Sequence, residues 1–256
     1  MKTEWDYTSL ADAYLKRPDY SDEALDEMLR KASLSRGAVA CDVGAGVAHL
    51  TIKLAERGIQ VVAVEPNDAM RANGVNRTKR FAKVRWVEGT GESTGLPDSS
   101  FDIVTFGSSF NVTDRQAALH ESARILKPKG WFACMWNHRD LKDPIQSAIE
   151  SIITAQVSEY SYGTRREDQT EVILASGLTT NVEKIEGRVF HRQSMQDCVE
   201  AWRSHATLHR QAGGKFPEII RQIEEFLADQ GKTEISIPYS TRIWLAQMNS
   251  NMTGDG

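Results

Sequence analysis

Apolar residues recur along this chain in two alternating rhythms. Short, nearly continuous apolar runs occur at 39–43, 60–64, 84–88, 101–106 and 131–136. Runs of that length, rich in Val and Ile, read as strands buried on both faces. Stretches with helical spacing separate most of them. His49–Arg57 is one. Gln116–Leu126 is another, with Ala117, Leu119, Ala123 and Leu126 near one face and Lys127-Pro128-Lys129-Gly130 as its stop. Strand–helix alternation with short connections predicts a parallel sheet covered on both sides.

After residue 137 the rhythm loosens. Asp143-Pro144 reads as a helix start with Pro at the first position, followed by Ile145, Ile149, Ile152, Ile153 and Val157 at helical spacing. Arg166–Ala175 reads as a further helix stopped by Gly177. Val182–Phe190 and Ile235–Ala246 read as strands, and helices begin at Ser194 and at Phe216-Pro217 between them. No repeat and no Gly-, Ser- or Pro-rich linker divides the chain.

The first strand ends in a turn made for close approach. In AVACDVGAGVAHL (38–50), Gly44 and Gly46 let the backbone bend sharply without a Cβ in the way, and the helix from His49 aims its free N–H groups at the turn. The next strand, VVAVEPNDAM (61–70), ends in a carboxylate, Glu65. A glycine turn after one strand and an acid at the tip of the next describe a nucleoside site, the acid accepting hydrogen bonds from a ribose diol. Dinucleotide-binding domains share that arrangement. Two details lean away from them. His49 stands where their fingerprint needs a third Gly or Ala, and Asp42 adds negative charge beside the turn. That charge repels a diphosphate and suits an amino group or a sulfonium.

Composition narrows the class. A net charge of -4 with no long Lys/Arg run gives no electrostatic footprint for nucleic acid. No stretch is long and apolar enough to span a membrane, and the charged, polar MKTEWDYTSL does not read as a signal peptide. Cys41, Cys134 and Cys198 lack metal or redox spacing and read as small buried residues, so no metal site is expected. The expected location is cytoplasmic.

Four blocks in order carry a resemblance: CDVGAGVAHLT (41–51), VVAVEPNDAM (61–70), VEGTGESTGLPDSSFDIVTFGSSF (87–110) and SARILKPKGWFACMWNHRD (122–140). Together they resemble the class I S-adenosylmethionine-dependent methyltransferases, specifically the small-molecule branch called type 11. The third block is the most specific. Tyr14–Tyr20 also looks like the YxxxRPxY lead-in of some relatives. Three positions depart from the pattern: Ala48 in place of a third glycine, Val47 in place of a common Thr, and Asn111 where many relatives have His. The first two are expected to alter packing more than chemistry. The third puts a His-based role at that position in doubt.

The resemblance implies an α/β fold: a Rossmann-like, doubly wound seven-stranded sheet, mostly parallel with an antiparallel last strand, plus helical lid insertions. It makes residues 1–256 a single methyltransferase domain. Residues 1–36 form an N-terminal cover, 37–137 the cofactor-binding core, 138–165 and 191–232 a helical lid over the acceptor, and 235–247 the last strand. The implied cofactor is S-adenosyl-L-methionine, released as S-adenosyl-L-homocysteine. Glu65 then accepts from the ribose hydroxyls. Gly44, Ala45 and Gly46 receive the methionine part, and Asp42 orients the turn or holds the amino group through water. Pro66 and Met70 pack on adenine, whose edge meets Gly91 and Glu92. Ser108 and Ser109 lie near the sulfonium, and Arg17 pairs with the cofactor carboxylate, helped by Tyr14.

The implied reaction is methyl transfer to a small organic molecule, first of all at oxygen. The alternatives are transfer to nitrogen or carbon, non-methyl chemistry with the same cofactor, or a cofactor-binding partner subunit. Alignment and exclusion of water supply much of such a rate, and a base is needed only where the acceptor arrives protonated. Candidate bases are His138, His191 and His205. Asn111, Trp136, His138, Tyr160, Trp202 and His209 are candidates for touching the acceptor, with Tyr162 and Tyr239 completing an aromatic wall. The expected partners are a small-molecule methyl acceptor, no nucleic acid and no membrane, in a monomer or homodimer.

Overall fold

The computed structural model describes residues 14–203 and 205–249. Seven strands form one sheet: β1 (Val39–Val43), β2 (Gln60–Val64), β3 (Val84–Val87), β4 (Phe101–Gly107), β5 (Leu126–Arg139), β6 (Glu183–Ser194) and β7 (Glu234–Gln247). Their order is β3-β2-β1-β4-β5-β7-β6. Pairs among the first five are parallel, whereas β7 runs antiparallel to both β5 and β6. The chain therefore starts in the middle of the sheet, winds to one edge, and returns to fill the other. The point of reversal lies between β1 and β4, where an open α/β sheet leaves a crevice at its carboxyl edge.

Helices α1 (Asp22–Lys31), α2 (His49–Glu56), α3 (Asp68–Thr78) and α4 (Arg115–Ile125) belong to this first half. Ser21 caps α1 by accepting from the Ala24 N–H, and the helix buries Ala24, Leu25, Met28 and Leu29 against the sheet. The approach is close because β6 offers Gly187 beneath it, where a Cβ would meet Ser21 Oγ at 2.5 Å. One apolar core fills this face with Leu50, Leu54, Ile103, Met135, Ile243 and Leu245. A second fills the opposite face, where Phe106, Phe110 and Phe132 pack at ring separations of 5.3–5.6 Å. Cys41, Cys134 and Cys198 are buried free thiols, as small core residues should be.

Five further helices complete the second half: α5 (Pro144–Gln156), the short α6 (Thr170–Leu174), α7 (Met195–Arg203), α8 (Ala206–Ala212) and α9 (Phe216–Ala228). α5, α7, α8 and α9 share a third core with the protruding ends of β6 and β7, including Ile149, Ile153, Trp202, Leu208, Ile223, Ile237 and Tyr239. Ser194 pairs with Glu234, so the whole 195–233 connection leaves and re-enters the sheet at one point. Among the described residues no helix is long and apolar enough to cross a membrane.

Several boundaries differ from those the periodicity predicts. The 166–175 helix breaks into a 3-10 turn at Gly163–Arg166 and α6, because Asp168 between them is engaged elsewhere. It accepts from Trp244 Nε1 at 2.9 Å, from the Thr170 N–H, and pairs with Lys184. β5 begins at Leu126, directly after α4, and takes in the predicted stop at 127–130 with a register shift opposite Phe101/Ile103. β6 runs on to Ser194 because β7 supplies it with partners that far. The expected cover at 1–36 is described only from Tyr14 onward.

Candidate functional site

The glycine turn and the acid of β2 are one hydrogen-bonded unit. Glu65 is buried, with Oε2 accepting from the Gly46 N–H at 2.8 Å and Oε1 from the Asn67 N–H at 2.9 Å. Burial pushes its carboxyl upward, and the two backbone donors work against that shift. An ionised carboxylate has about four acceptor positions, so two remain for a diol. Ala45 ties the turn to β2 through its N–H to the Val64 carbonyl, 3.0 Å. Gly44 has φ +64°, and a Cβ there would overlap Ser109 Cβ; Gly46 has φ +56°, and a Cβ there would meet nothing nearer than the Gly44 carbonyl oxygen at 4.0 Å. The first glycine thus lets β1 touch β4, and the second leaves a bare surface for a ligand.

Ala48 holds φ +77° at the N-terminus of α2. The alanine in the third-glycine position therefore adopts the conformation a glycine favours, at the steric cost of its Cβ.

Met70 is buried with Val47, and Tyr14 and Ala69 pack against the pair. This apolar shelf lies beside the turn, with Pro66 partly buried next to Glu65. Arg71 donates from Nη1 to the Glu65 carbonyl at 2.7 Å and steadies the strand tip. Arg17 places its guanidinium 3.5 Å from the Tyr14 ring centroid. The same segment is held down by His49, whose Nδ1 and Nε2 each lie 2.8 Å from an acceptor, Asp19 Oδ1 and the Tyr14 carbonyl. In the sequence His49 stands out only as the start of a helix and a departure from the dinucleotide fingerprint. Its position one turn from the glycines is the signal that marks it as a latch.

Other expected cofactor contacts are already occupied inside the protein. Asp42 is buried, with Oδ2 accepting from Thr51 Oγ1 at 2.6 Å and Oδ1 from Thr105 Oγ1 at 3.1 Å. It braces α2 and β4 against β1, and burial raises its pKa to about 7. Both oxygens are engaged within the protein, an arrangement in keeping with the first of its two expected roles, orienting the turn. Ser109 donates to the Val43 carbonyl at 2.6 Å and so clamps the tips of β1 and β4 together. Ser108, with φ +62°, has its hydroxyl 3.1 Å from that of Tyr20. Gly91 is buried, where a Cβ would meet Thr113 Cγ2 at 2.7 Å. Glu92 is exposed and accepts from the Asp114 N–H at 2.8 Å, ahead of α4.

The expected aromatic wall divides. Trp136 belongs to the β4–β5 face, donating from Nε1 to Asn111 Oδ1 at 3.0 Å and packing edge-on to Trp244. Trp202, Tyr239 and Tyr160 belong to the helical core on the other side. Tyr160 and Tyr162 meet edge to face at 5.1 Å. His138 is buried at the end of β5, opposite Ser240. His191 lies 6.4 Å from the Tyr239 ring, and burial pushes its imidazole downward. Two candidates move away from chemistry. His205 Nδ1 accepts from the Leu208 N–H at 3.2 Å as the cap of α8, and its ring stacks on Trp202. His209 is exposed beside Phe216. Sequence reading gave no role to Arg139 or Gln146, which lie in and beside this helical core.

A doubly wound sheet with a glycine turn after β1, an acid at the tip of β2 and a clamped β4 is a Rossmann-like arrangement, a class whose ligands sit at the carboxyl edge of the strands. Residues 41–134 match the family model described as a methyltransferase domain. An uncharacterized methyltransferase of Mycobacterium tuberculosis is 36% identical over 128 residues, covering 48% of each chain; the match spans about half the length of such relatives. The 4+2 cyclase SpnF superposes with a TM-score of 0.59 at 16% identity, covering 96% of this chain and 95% of that one. Phosphoethanolamine N-methyltransferase 2 of Haemonchus contortus, solved with S-adenosyl-L-methionine, gives a TM-score of 0.55 at 15% identity, covering 95% of this chain and 57% of that one. Over residues 41–134 the chain is thus similar to the class I S-adenosylmethionine-dependent methyltransferases, a family whose cofactor is S-adenosyl-L-methionine.

Proposed function

We propose that the protein transfers the methyl group of S-adenosyl-L-methionine to a small organic acceptor, with oxygen the first acceptor atom to test and nitrogen or carbon the alternatives. The observation that carries this reading is the Glu65–Gly46 hydrogen bond, which places an acid with spare acceptor capacity over an open glycine turn. The residues fit the cofactor: Glu65 for the ribose, the bare Gly46 surface for the methionine part, and the Met70–Val47–Tyr14 shelf for a flat ring. When bound, the cofactor supplies a methyl carbon already activated by its sulfonium.

The chain then has to orient an acceptor and exclude water. The helices of 138–165 and 191–232 serve as the lid for that purpose. Their shared core with the ends of β6 and β7 supports an enclosed acceptor. His138 and His191 are the remaining base candidates. A depressed imidazole pKa favours the neutral form of His191, the form able to take a proton from an acceptor hydroxyl.

The test is calorimetric titration with S-adenosyl-L-methionine, S-adenosyl-L-homocysteine and NAD, followed by homocysteine-product release with an acceptor panel. Binding of both sulfur compounds but not NAD supports the reading. Binding of neither would remove it.

A further inference from the structure

Arg139, the last residue of β5, is a cation with no anionic partner among the described residues. It is partly buried, its guanidinium carbon sits 4.0 Å from the Trp202 ring and 5.9 Å from that of Tyr239, and Nε donates to Tyr239 Oη at 3.2 Å. Among the described residues no carboxylate forms an ion pair with it. Tyr162 and Cys198 are further groups that act on it electrostatically. The carboxylate that approaches this set, Glu150, accepts instead from the Tyr162 hydroxyl. A guanidinium has five N–H donors in a planar fork, and one hydrogen bond leaves most of them unused.

Among the described residues, two residues of the helical region repeat the pattern. Gln146 is 2% exposed, one helical turn before Glu150, and neither its amide oxygen nor its nitrogen has a partner. Trp202, 1% exposed, has an unpartnered Nε1. Buried polar groups of this kind are ordinarily satisfied, so an unpartnered Trp202 Nε1 on the ring that Arg139 stacks against marks a place where something polar belongs, with Gln146 a second such group in the same helical region.

We infer that Arg139 is the specificity-determining residue for a carboxylate on the methyl acceptor, binding it with its fork against the Trp202 face. The inference rests on the proposed methyl transfer and names its substrate class. A carboxylate carries one charge and matches one guanidinium; a phosphate monoester, nearly doubly charged, calls for more. The carboxylate is the anchor and not the methylated atom. The Ser108 N–H bonds to the Met135 carbonyl at the tip of β4, and Arg139 lies four residues further along β5, about 13 Å at a strand's rise. The acceptor therefore spans roughly that distance, with its reactive atom near Ser108 and its acid at Arg139.

The experiment uses the full chain with S-adenosyl-L-homocysteine added and the indole Nε1 resonance of Trp202 as reporter, assigned with Trp202→Phe. Hexanoate, phenylacetate and glutarate are titrated against the three corresponding amides and inorganic phosphate. Saturable shifts with the acids and none with the amides are expected. Arg139→Gln should weaken acid binding at least tenfold with homocysteine-compound affinity within twofold of wild type, and Arg139→Lys should fall between. The inference is overturned if no acid gives a saturable shift, if the amides match the acids, if phosphate binds as well as they do, or if Arg139→Gln changes nothing. Loss of S-adenosyl-L-homocysteine binding itself would count against the proposed function, and it is read separately in the same titration.

Discussion

Glu65 Oε2 accepts a hydrogen bond from the Gly46 N–H at 2.8 Å, so the acid at the end of β2 builds the turn after β1 as well as facing its open side. A substitution there acts on two levels. Glu65→Ala removes the acceptor for a ribose and frees both the Gly46 and Asn67 N–H groups. Charge-assisted hydrogen bonds contribute roughly 1.5–3 kcal/mol each, so S-adenosyl-L-methionine affinity should fall at least tenfold by calorimetry. Glu65→Gln, which keeps one oxygen, should lose less. Equal affinity in wild type and Glu65→Ala would show that the ribose is held elsewhere.

Gly44 and Gly46 both have positive φ, yet they should respond differently to a methyl group. At Gly44 the new Cβ overlaps Ser109, adding a steric clash to the left-handed backbone cost. Gly44→Ala should cost about 3 kcal/mol or more of stability. At Gly46 only the backbone term applies, roughly 1–2 kcal/mol, but the methyl enters the open surface. Gly46→Ala should therefore keep most of the melting temperature and lose cofactor affinity. Thermal denaturation and titration on the same two variants separate these effects, and a reversed ranking would contradict the geometry.

The parallel core was legible because its determinants are local. β1 spans Val39–Val43 and β2 spans Gln60–Val64, as their apolar runs predict, and Glu65 follows from its place at a strand end. The second half was less legible because long-range contacts decide it. Asp168 splits a predicted helix through bonds to Trp244 and Lys184, neither of which sequence spacing reveals. Ser109 and Asp42 sit where the cofactor motif places them but spend their polar atoms on Val43, Thr51 and Thr105. Arg139 follows His138 with no periodic signal, and only the packing of Trp202 over it gives it meaning.

Asp42 sets a pH dependence of stability. Burial, only partly offset by the Thr51 and Thr105 hydroxyls, raises its folded pKa to about 7, against 3.8 for an ordinary Asp. The folded protein holds a proton between those values that the unfolded chain releases. Its contribution to stability is full below the unfolded value and is lost as pH rises toward 7, on the order of a few kcal/mol. Asp42→Asn keeps the shape without the titration. Denaturant melts from pH 4.5 to 8 should show wild type losing ground to the variant up to about pH 7 and a constant difference beyond. Parallel profiles would mean that Asp42 stays ionised.

His49 joins the segment carrying Tyr14 and Arg17 to the glycine turn. Both of its ring nitrogens face oxygens that only accept, the Asp19 carboxylate and the Tyr14 carbonyl, so both bonds together require both nitrogens to donate. Hydrogen bonding to His49 holds the Asp19 carboxyl below its usual range, the reciprocal sign of the same contact. His49→Phe keeps the ring volume and removes both bonds. The core packing of α2 through Leu50 and Leu54 stays intact, so the melting temperature should change little. Cofactor affinity should fall a few-fold, because Tyr14 loses the tie that keeps it against Met70 and Val47. Proteolysis between Tyr14 and Tyr20 should speed up, and added S-adenosyl-L-homocysteine should protect the wild type more than the variant. An unchanged cleavage rate would show that Arg17 stacking on Tyr14 and the packing of Tyr20 hold the segment without His49.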